Sequence, residues 1–104
     1  MNGMVEREKA LENKFAHDEE LKFKAHARRN KLVGLWAAHL MARTDAAAYA
    51  RGLVAADALD VDDANILRTL RQDFAEAKIK ISEEKLIAKL AELHAEAARQ
   101  VFEE

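Results

Sequence analysis

The sequence contains no cysteine and no proline, and only three of its 104 residues are glycine. Without cysteine the chain can form no disulfide, thiolate nucleophile or cysteine-ligated metal site, which fits a reducing compartment. Without proline, and with so little glycine, few positions interrupt a helix. The abundant Ala, Leu, Glu, Lys and Arg residues favour helix nearly everywhere. These absences predict an all-α protein.

Long apolar segments are also absent. The longest apolar run, near residues 32–42, is broken by His39 and is far shorter than the ~20 residues that a membrane-spanning helix needs. The first residues, 1–13, are charged throughout and are followed by no apolar region typical of a secretory signal. The formal net charge of −2 argues against general binding to nucleic acid or to anionic membranes. We therefore expect a cytoplasmic protein without direct membrane insertion.

Motifs for catalysis and for cofactor binding are missing as well. None of the four histidines is three or four residues from another, so the usual spacing of metal ligands on a helix is not present. We expect His39 and His94 at the edges of the core and His17 and His26 on a solvated face. No glycine-rich phosphate loop occurs. We expect no catalytic residue, no metal and no cofactor, and an enzyme is the least favoured class.

Residues 14–38 form the stretch around which the chain is organised, and its character changes halfway. Between Lys22 and Lys31 there are five cations and no acid, whereas the chain is almost wholly apolar from Leu32 onward. Positions 21, 25, 28, 32, 36 and 39 are three or four residues apart, as on one face of a helix. All of them are apolar except Arg28 and His39. This pattern predicts one long helix whose second half is the centre of the domain and whose first half carries a basic surface.

Three further amphipathic helices follow. Thr44 can cap the first of these, near residues 45–58, and Asp60 with its acidic neighbours suits the start of the second. Ser82 can cap the last, with two glutamates in its first turn. The short alternation at residues 79–81 is too brief to predict a strand. The sequence predicts a four-helix bundle over residues 17–104, preceded by an N-terminal arm at residues 1–16.

The arm has a narrow apolar stripe of Met4, Leu11 and Phe15. This stripe is out of phase with the core-facing stripe of the following helix. Either the helix breaks near residues 16–20, or the arm's stripe faces something other than its own core. Three apolar contacts are too few to stabilise a short helix in water. We therefore expect the free protein to be a monomer whose arm is partly disordered and becomes ordered in a partner's groove.

The central stretch, through the segments KFAHDEELKFKA, RRNKL and GLWAA, resembles the zeta subunit family of alphaproteobacterial F-type ATP synthases, which inhibits ATP hydrolysis by F1. The likeness extends more loosely over the whole chain. The resemblance implies a helical bundle with an N-terminal segment that enters an interface between catalytic subunits, against the central stalk, and blocks rotation in the hydrolytic direction. The bundle then docks outside and limits the insertion.

The resemblance also implies which residues meet F1. The expected arm contacts are Met4, Arg7, Glu8, Leu11, Lys14 and Phe15. The expected contacts on the following segment, which we call the shoulder, are His17, Asp18, Glu19, Glu20, Phe23, Lys24, Arg28 and Arg29. The first residues, MNGMVERE, depart from the family pattern because Met4 and Val5 stand where an aromatic residue and acids are common. This departure predicts weaker inhibition with binding retained.

Two alternatives remain open at the level of sequence. The basic patch Lys22–Lys31 can serve a small helical adaptor or a nucleic-acid-associated protein, in which the cations would contact phosphates. However, acidic residues adjoin the patch and no groove-reading motif is present. Phe23 among cations is instead typical of a protein interface. The other alternative, a small ligand such as a nucleotide held by the bundle, has no supporting motif.

Overall fold

The computed structural model describes the backbone of residues 3–57 and 62–104, and the side chains of residues 17–57 and 62–104. Within these ranges the chain is all-α, as predicted, and contains no strand. The four helices are α1 (Gly3–Leu40), α2 (Ala46–Asp57), α3 (Ala64–Glu76) and α4 (Glu83–Glu103). Ile79 and Ile81 do not form a strand but pack against the core between α3 and α4.

The long helix α1 is the centre of the bundle, and α2 and α4 both pack along it. Its backbone is helical throughout residues 16–20, so the break that the sequence allowed there does not occur. The third helix completes the core through Phe74, whose ring meets the ring of Trp36 edge-on at a centroid distance of 5.7 Å. The core that these helices share contains Val33, Ala37, Leu53, Ile66, Leu70, Phe74, Leu86 and Leu90.

The buried face of α1 differs from the predicted one. Ala25 is buried as predicted, but Val33 and Ala37 are buried as well, whereas Trp36 is only partly buried and His39 is exposed. The buried face is therefore rotated by about one residue from the predicted stripe. The physical reason is that α1 is covered from two directions, by α2 and by α4, so the small residues between the two contacts are the most deeply enclosed.

Gly34 brings α1 and α2 unusually close together. A Cβ atom at this position would lie 2.5 Å from Ala50 Cα and 2.9 Å from Ala50 Cβ, far inside van der Waals contact. Glycine inside a helix costs about 1 kcal/mol relative to alanine. Here the cost is offset by the close approach of the two backbones, which only glycine permits.

Two helices end in the same way without glycine or proline. After α1, Arg43 N donates to Ala38 O at 2.9 Å, and after α3, Ile79 N donates to Phe74 O at 2.8 Å. These are the six-to-one hydrogen bonds of Schellman motifs. Accordingly, Ala42 and Lys78 adopt the left-handed conformation, with φ of 56° and 60°. At the end of α1 and of α3, the carbonyls in these bonds thus find backbone donors without a glycine in the left-handed position.

One of the predicted helix caps is observed. Ser82 caps α4 as predicted, its Oγ accepting from Lys85 N at 3.2 Å. The second helix begins one residue later than predicted, so Asp45 rather than Thr44 precedes it. The third begins after Asp63, whose side chain makes no capping hydrogen bond. The predicted role of Asp60 lies outside the described residues.

Candidate partner-binding surface

The described residues at 17–20 of α1 are all exposed, which places them outside the bundle. Two of these residues form ion pairs along the helix rather than across helices: Glu19 lies 3.4 Å from Lys22 Nζ, and Glu20 lies 3.5 Å from Lys24 Nζ. Such exposed pairs at three- and four-residue spacing contribute only about 0.3–0.5 kcal/mol each. The helix therefore leaves the bundle near Leu21 and presents a short acidic segment followed by a basic one.

Phe23 is the largest apolar group on this surface, with 66% of the residue exposed. The sequence left two possibilities, packing against a second neighbour or exposure among cations, and the structure places the ring among Lys24, Arg28 and Lys31. A large exposed aromatic ring beside arginine is the composition found at the centres of protein interfaces. Among the shoulder residues, Phe23 is thus the one whose exposure calls for a partner.

Arg28 joins α1 to the end of α4. Its Nη1 donates to Gln100 Oε1 at 3.0 Å, and its Nη2 forms an ion pair with the Glu104 carboxylate. The side chain is about 29% exposed, so one edge of the guanidinium still faces solvent. Arg28 therefore holds the C-terminal end of α4 against α1, about two helical turns from the point near Leu21 where α1 leaves the bundle.

Arg29, which the sequence placed in the shoulder, lies inside the bundle instead. Only 5% of the residue is exposed. Its Nη2 donates to Asp63 Oδ1 at 2.8 Å and to Asn30 Oδ1 at 2.9 Å, and lies 3.7 Å from Asp57 Oδ2. At 5% exposure Arg29 offers a partner far less surface than Phe23, which is 66% exposed. The predicted contact of Arg29 with F1 stays a prediction.

Asp57 is the centre of this buried polar network. Its Oδ2 accepts from Asn30 Nδ2 at 2.7 Å and lies 3.0 Å from His26 Nε2, while its Oδ1 has no hydrogen-bond partner among the described residues. Buried charges persist in proteins when they are paired in this way. The network ties the middle of α1 to the end of α2. His26 thus has a structural partner rather than the solvated position predicted for it.

The sequence offered no clear signal for this network. Asn30 and Arg29 stand at core positions of α1, but a polar residue in a helix that carries a basic run is ordinarily assigned to the surface. Their partner Asp57 ends α2, where periodicity predicts no particular role. Residues 29 and 30 face inward together with Ala25, Val33 and Ala37. This could be predicted only if the buried face of α1 were known to be shifted by one residue from the apolar stripe.

The remaining predicted residues divide into two groups. In the shoulder, the exposed surface that the structure brings together consists of His17, Asp18, Glu19, Glu20, Phe23 and Lys24. In the arm, the backbone belongs to α1, but the structure does not describe the side chains. This applies to the predicted contacts Met4, Arg7, Glu8, Leu11, Lys14 and Phe15. The contacts predicted for the arm, and its predicted partial disorder, therefore stay predictions.

Metal ligands and membrane spans do not occur in the part of the chain that the structure describes. There, no group of three or more His, Asp or Glu side chains is placed to hold a metal ion. His39 and His94, predicted at core edges, are both exposed. None of the described helices is both long and apolar enough to cross a bilayer.

A comparison with protein families gives the context for this surface. The model of the family described as ATPase inhibitor subunit zeta matches residues 1–100. The chain belongs to this family. No curated protein matches the chain. The zeta family model spans both the projecting half of α1 and the bundle, so the two parts belong to one family architecture and not to a fusion of unrelated segments. The family name assigns ATPase inhibition and implies an ATP synthase as the partner.

Proposed function

We propose that the protein inhibits ATP hydrolysis by F1, with the projecting half of α1 entering an interface between catalytic subunits against the central stalk. The bundle docks outside this interface. The observation that carries the proposal is the continuity of α1, in a chain of the zeta family, from Gly3 to Leu40. One helix thus joins the segment expected to enter F1 to the core of the bundle.

The geometry of α1 supports this division of roles. The helix is fixed inside the bundle by Gly34 against Ala50 and by the buried network of Arg29 and Asp57. Outside the bundle it has about 18 residues, from Gly3 to Glu20, which span about 27 Å at 1.5 Å per residue. Once ordered as this helix, a segment of this length, held at one end by a folded body, can reach into a subunit interface while the body stays outside.

Binding by the arm alone would be weak, which gives the shoulder a role. A segment that orders on binding loses affinity because its conformational entropy is lost. Docking by the exposed shoulder, with Phe23 as its aromatic anchor, supplies contacts that do not carry this cost. Selectivity for one rotational state follows if only one catalytic interface presents the groove that the arm fits.

The nucleic-acid alternative receives little support from the charges of the basic patch Lys22–Lys31. Lys22, Lys24 and Arg28 each form an ion pair within the chain, and Arg29 is buried. Lys31 alone of the five forms no ion pair with a described residue. A steep fall in binding to DNA or RNA with rising salt would be needed to favour this alternative.

The test is ATP hydrolysis by alphaproteobacterial F1, titrated with the full chain and with a version that begins at residue 17. Saturable inhibition by the full chain that is lost on truncation is the expected result. Circular dichroism of the truncated protein checks that the bundle is intact. Equal inhibition by both forms would assign the effect to the bundle, and absence of both binding and inhibition would exclude F1 as the partner.

A further inference from the structure

An open groove of about 860 Å³ runs between α1 and α2, beside the surface described above. Its floor is formed by small or branched apolar side chains, among them Ala27, Leu35, Ala47 and Val54. The close contact of Gly34 with Ala50, which also lines the groove, keeps the two helices near each other. Phe23 also lines the groove and remains 66% exposed.

The walls of the groove are strongly basic. Four cations line it, namely Lys24, Arg28, Lys31 and Arg51, against the single carboxylate of Glu104. Glu104 is already paired with Arg28, and Lys24 with Glu20. Lys31 on α1 and Arg51 on α2 form no ion pair with any described residue. Among the residues that the structure describes, the groove therefore has one unpaired cation on each of the two helices that form it.

We infer that this groove binds an acidic amphipathic helix on the surface of the partner, a docking contact separate from the arm. A helix whose apolar stripe is flanked by Glu or Asp matches an apolar floor between two cationic walls, in the helix-in-groove mode. A flat lipid surface cannot reach a concave floor. This inference rests on the proposed function for the identity of the partner, but its chemistry is testable without F1.

The first test uses a peptide of about five helical turns with leucines on one face and flanking glutamates, and a matched peptide with lysines in place of the glutamates. The acidic peptide is expected to bind, with NMR shift changes concentrated at Leu35, Val54 and their neighbours. Charge reversal by Lys31→Glu with Arg51→Glu should weaken this binding at least about tenfold. Equal binding of the two peptides, or shift changes elsewhere, would overturn the inference.

A matched control separates the groove from net charge. Lys80→Glu with Lys85→Glu changes the net charge by the same amount at two exposed positions that do not line the groove. This control variant should bind the acidic peptide within about twofold of the unaltered protein, because long-range effects between exposed charges are largely screened at physiological salt. A loss as large as that of the groove variant would overturn the inference.

The second test uses F1 itself. The groove variant should require about tenfold more protein than the control variant for half-maximal inhibition, while the maximal inhibition is unchanged because the arm is intact. Equal titration curves for the two variants would overturn the groove inference and leave the proposed function standing. If the unaltered protein does not inhibit F1, the proposed function fails, and the peptide titration alone decides whether the groove binds acidic helices.

Discussion

The polar residues of α1 have opposite surroundings in the two halves of the helix. At the edge of the bundle, Glu19 and Lys22 form an ion pair with each other within the same helix, and their side chains stay 53% and 76% exposed. Inside it, Arg29 and Asn30 are buried and share partners that come from α2 and from the start of α3. One half of the helix can therefore tolerate rearrangement of its charges, whereas the other half depends on them for the integrity of the fold.

The contrast is sharpest between two adjacent arginines. Arg28 lies at the surface and holds the end of α4, while Arg29 is enclosed within the bundle. Adjacent residues of a helix point about 100° apart. This rotation leaves Arg28 at the surface, where a partner can reach it, and turns Arg29 into the bundle. Composition alone does not distinguish the two, so a basic run is a poor guide to how many charges a partner meets.

The largest expected effect comes from the inner half. Asp57→Ala should lower the free energy of unfolding by about 3–5 kcal/mol, because it leaves Arg29 enclosed without one of its counter-charges and removes the acceptor for Asn30. Urea unfolding measures this loss. Asp18→Ala, at an exposed position of the outer half, is the control and should change stability by less than about 0.5 kcal/mol. Equal losses of unfolding free energy in the two variants would contradict the claim that only the inner half of α1 depends on its charges for stability.

A second comparison concerns two glycines. Gly34→Ala should destabilise the protein by about 1–3 kcal/mol, since the added Cβ would lie 2.5 Å from Ala50 Cα and would force α1 away from α2. Gly52→Ala should instead stabilise it by about 0.5–1 kcal/mol, because a Cβ there meets nothing within 4 Å and alanine is the better helix former. Thermal unfolding of both variants gives the signs. Stabilisation by Gly34→Ala would show that the helices are not in close contact.

The bundle also predicts an effect of pH. Burial and donation to Asp73 Oδ2 at 2.6 Å raise the pKa of Tyr49 well above its usual value of 10.0. Because the folded pKa is raised, this contribution to stability is complete below pH 10 and is lost as the pH rises through the folded value. Tyr49 is the single tyrosine, so its phenolate absorbance can be followed directly. The midpoint should fall towards 10 in Asp73→Asn, and an unchanged midpoint would exclude the contact with Asp73 as a cause.

The smallest expected effect is on the surface. Hydrogen bonds from Arg99, with a further one from Gln100, lower the pKa of Glu96 to about 2. Since the folded pKa is depressed, this contribution is present above the usual value of 4.5 and is lost as the pH falls towards 2. An NMR titration of the Glu96 side chain should show a low midpoint that rises with added salt, because exposed pairs are screened. A midpoint near 4.5 at low salt would contradict this pairing.

Much of the fold was predictable because it depends on local chemistry. The lack of proline and the low glycine content predicted the helices. The start of α4 was predicted from the capping hydroxyl of Ser82 and the two glutamates that follow it. The orientation of α1 was not predictable, since it depends on how α2 and α4 divide the surface of one helix. For the same reason, the burial of Arg29 and the hydrogen bond between Asn30 and Asp57 were not predictable, because the partners are far apart in the sequence and meet only when the helices pack.

The candidate surface was predictable only in part. The exposure of Phe23 among cations was one of two outcomes that the sequence allowed, and the structure decides between them. The groove between α1 and α2 was not foreseen, because it needs Arg51 from α2 opposite Lys31 from α1. Such a site arises from packing, and no motif within either helix indicates it.

The most direct test of the account is a single variant measured in two ways. Leu11→Asp places a charge in the apolar stripe of the arm, far along α1 from the buried network. We expect its urea unfolding midpoint to match that of the unaltered protein, and its inhibition of ATP hydrolysis by F1 to be lost. Retained inhibition with unchanged stability would contradict the claim that the outer half of α1 is the inhibitory element.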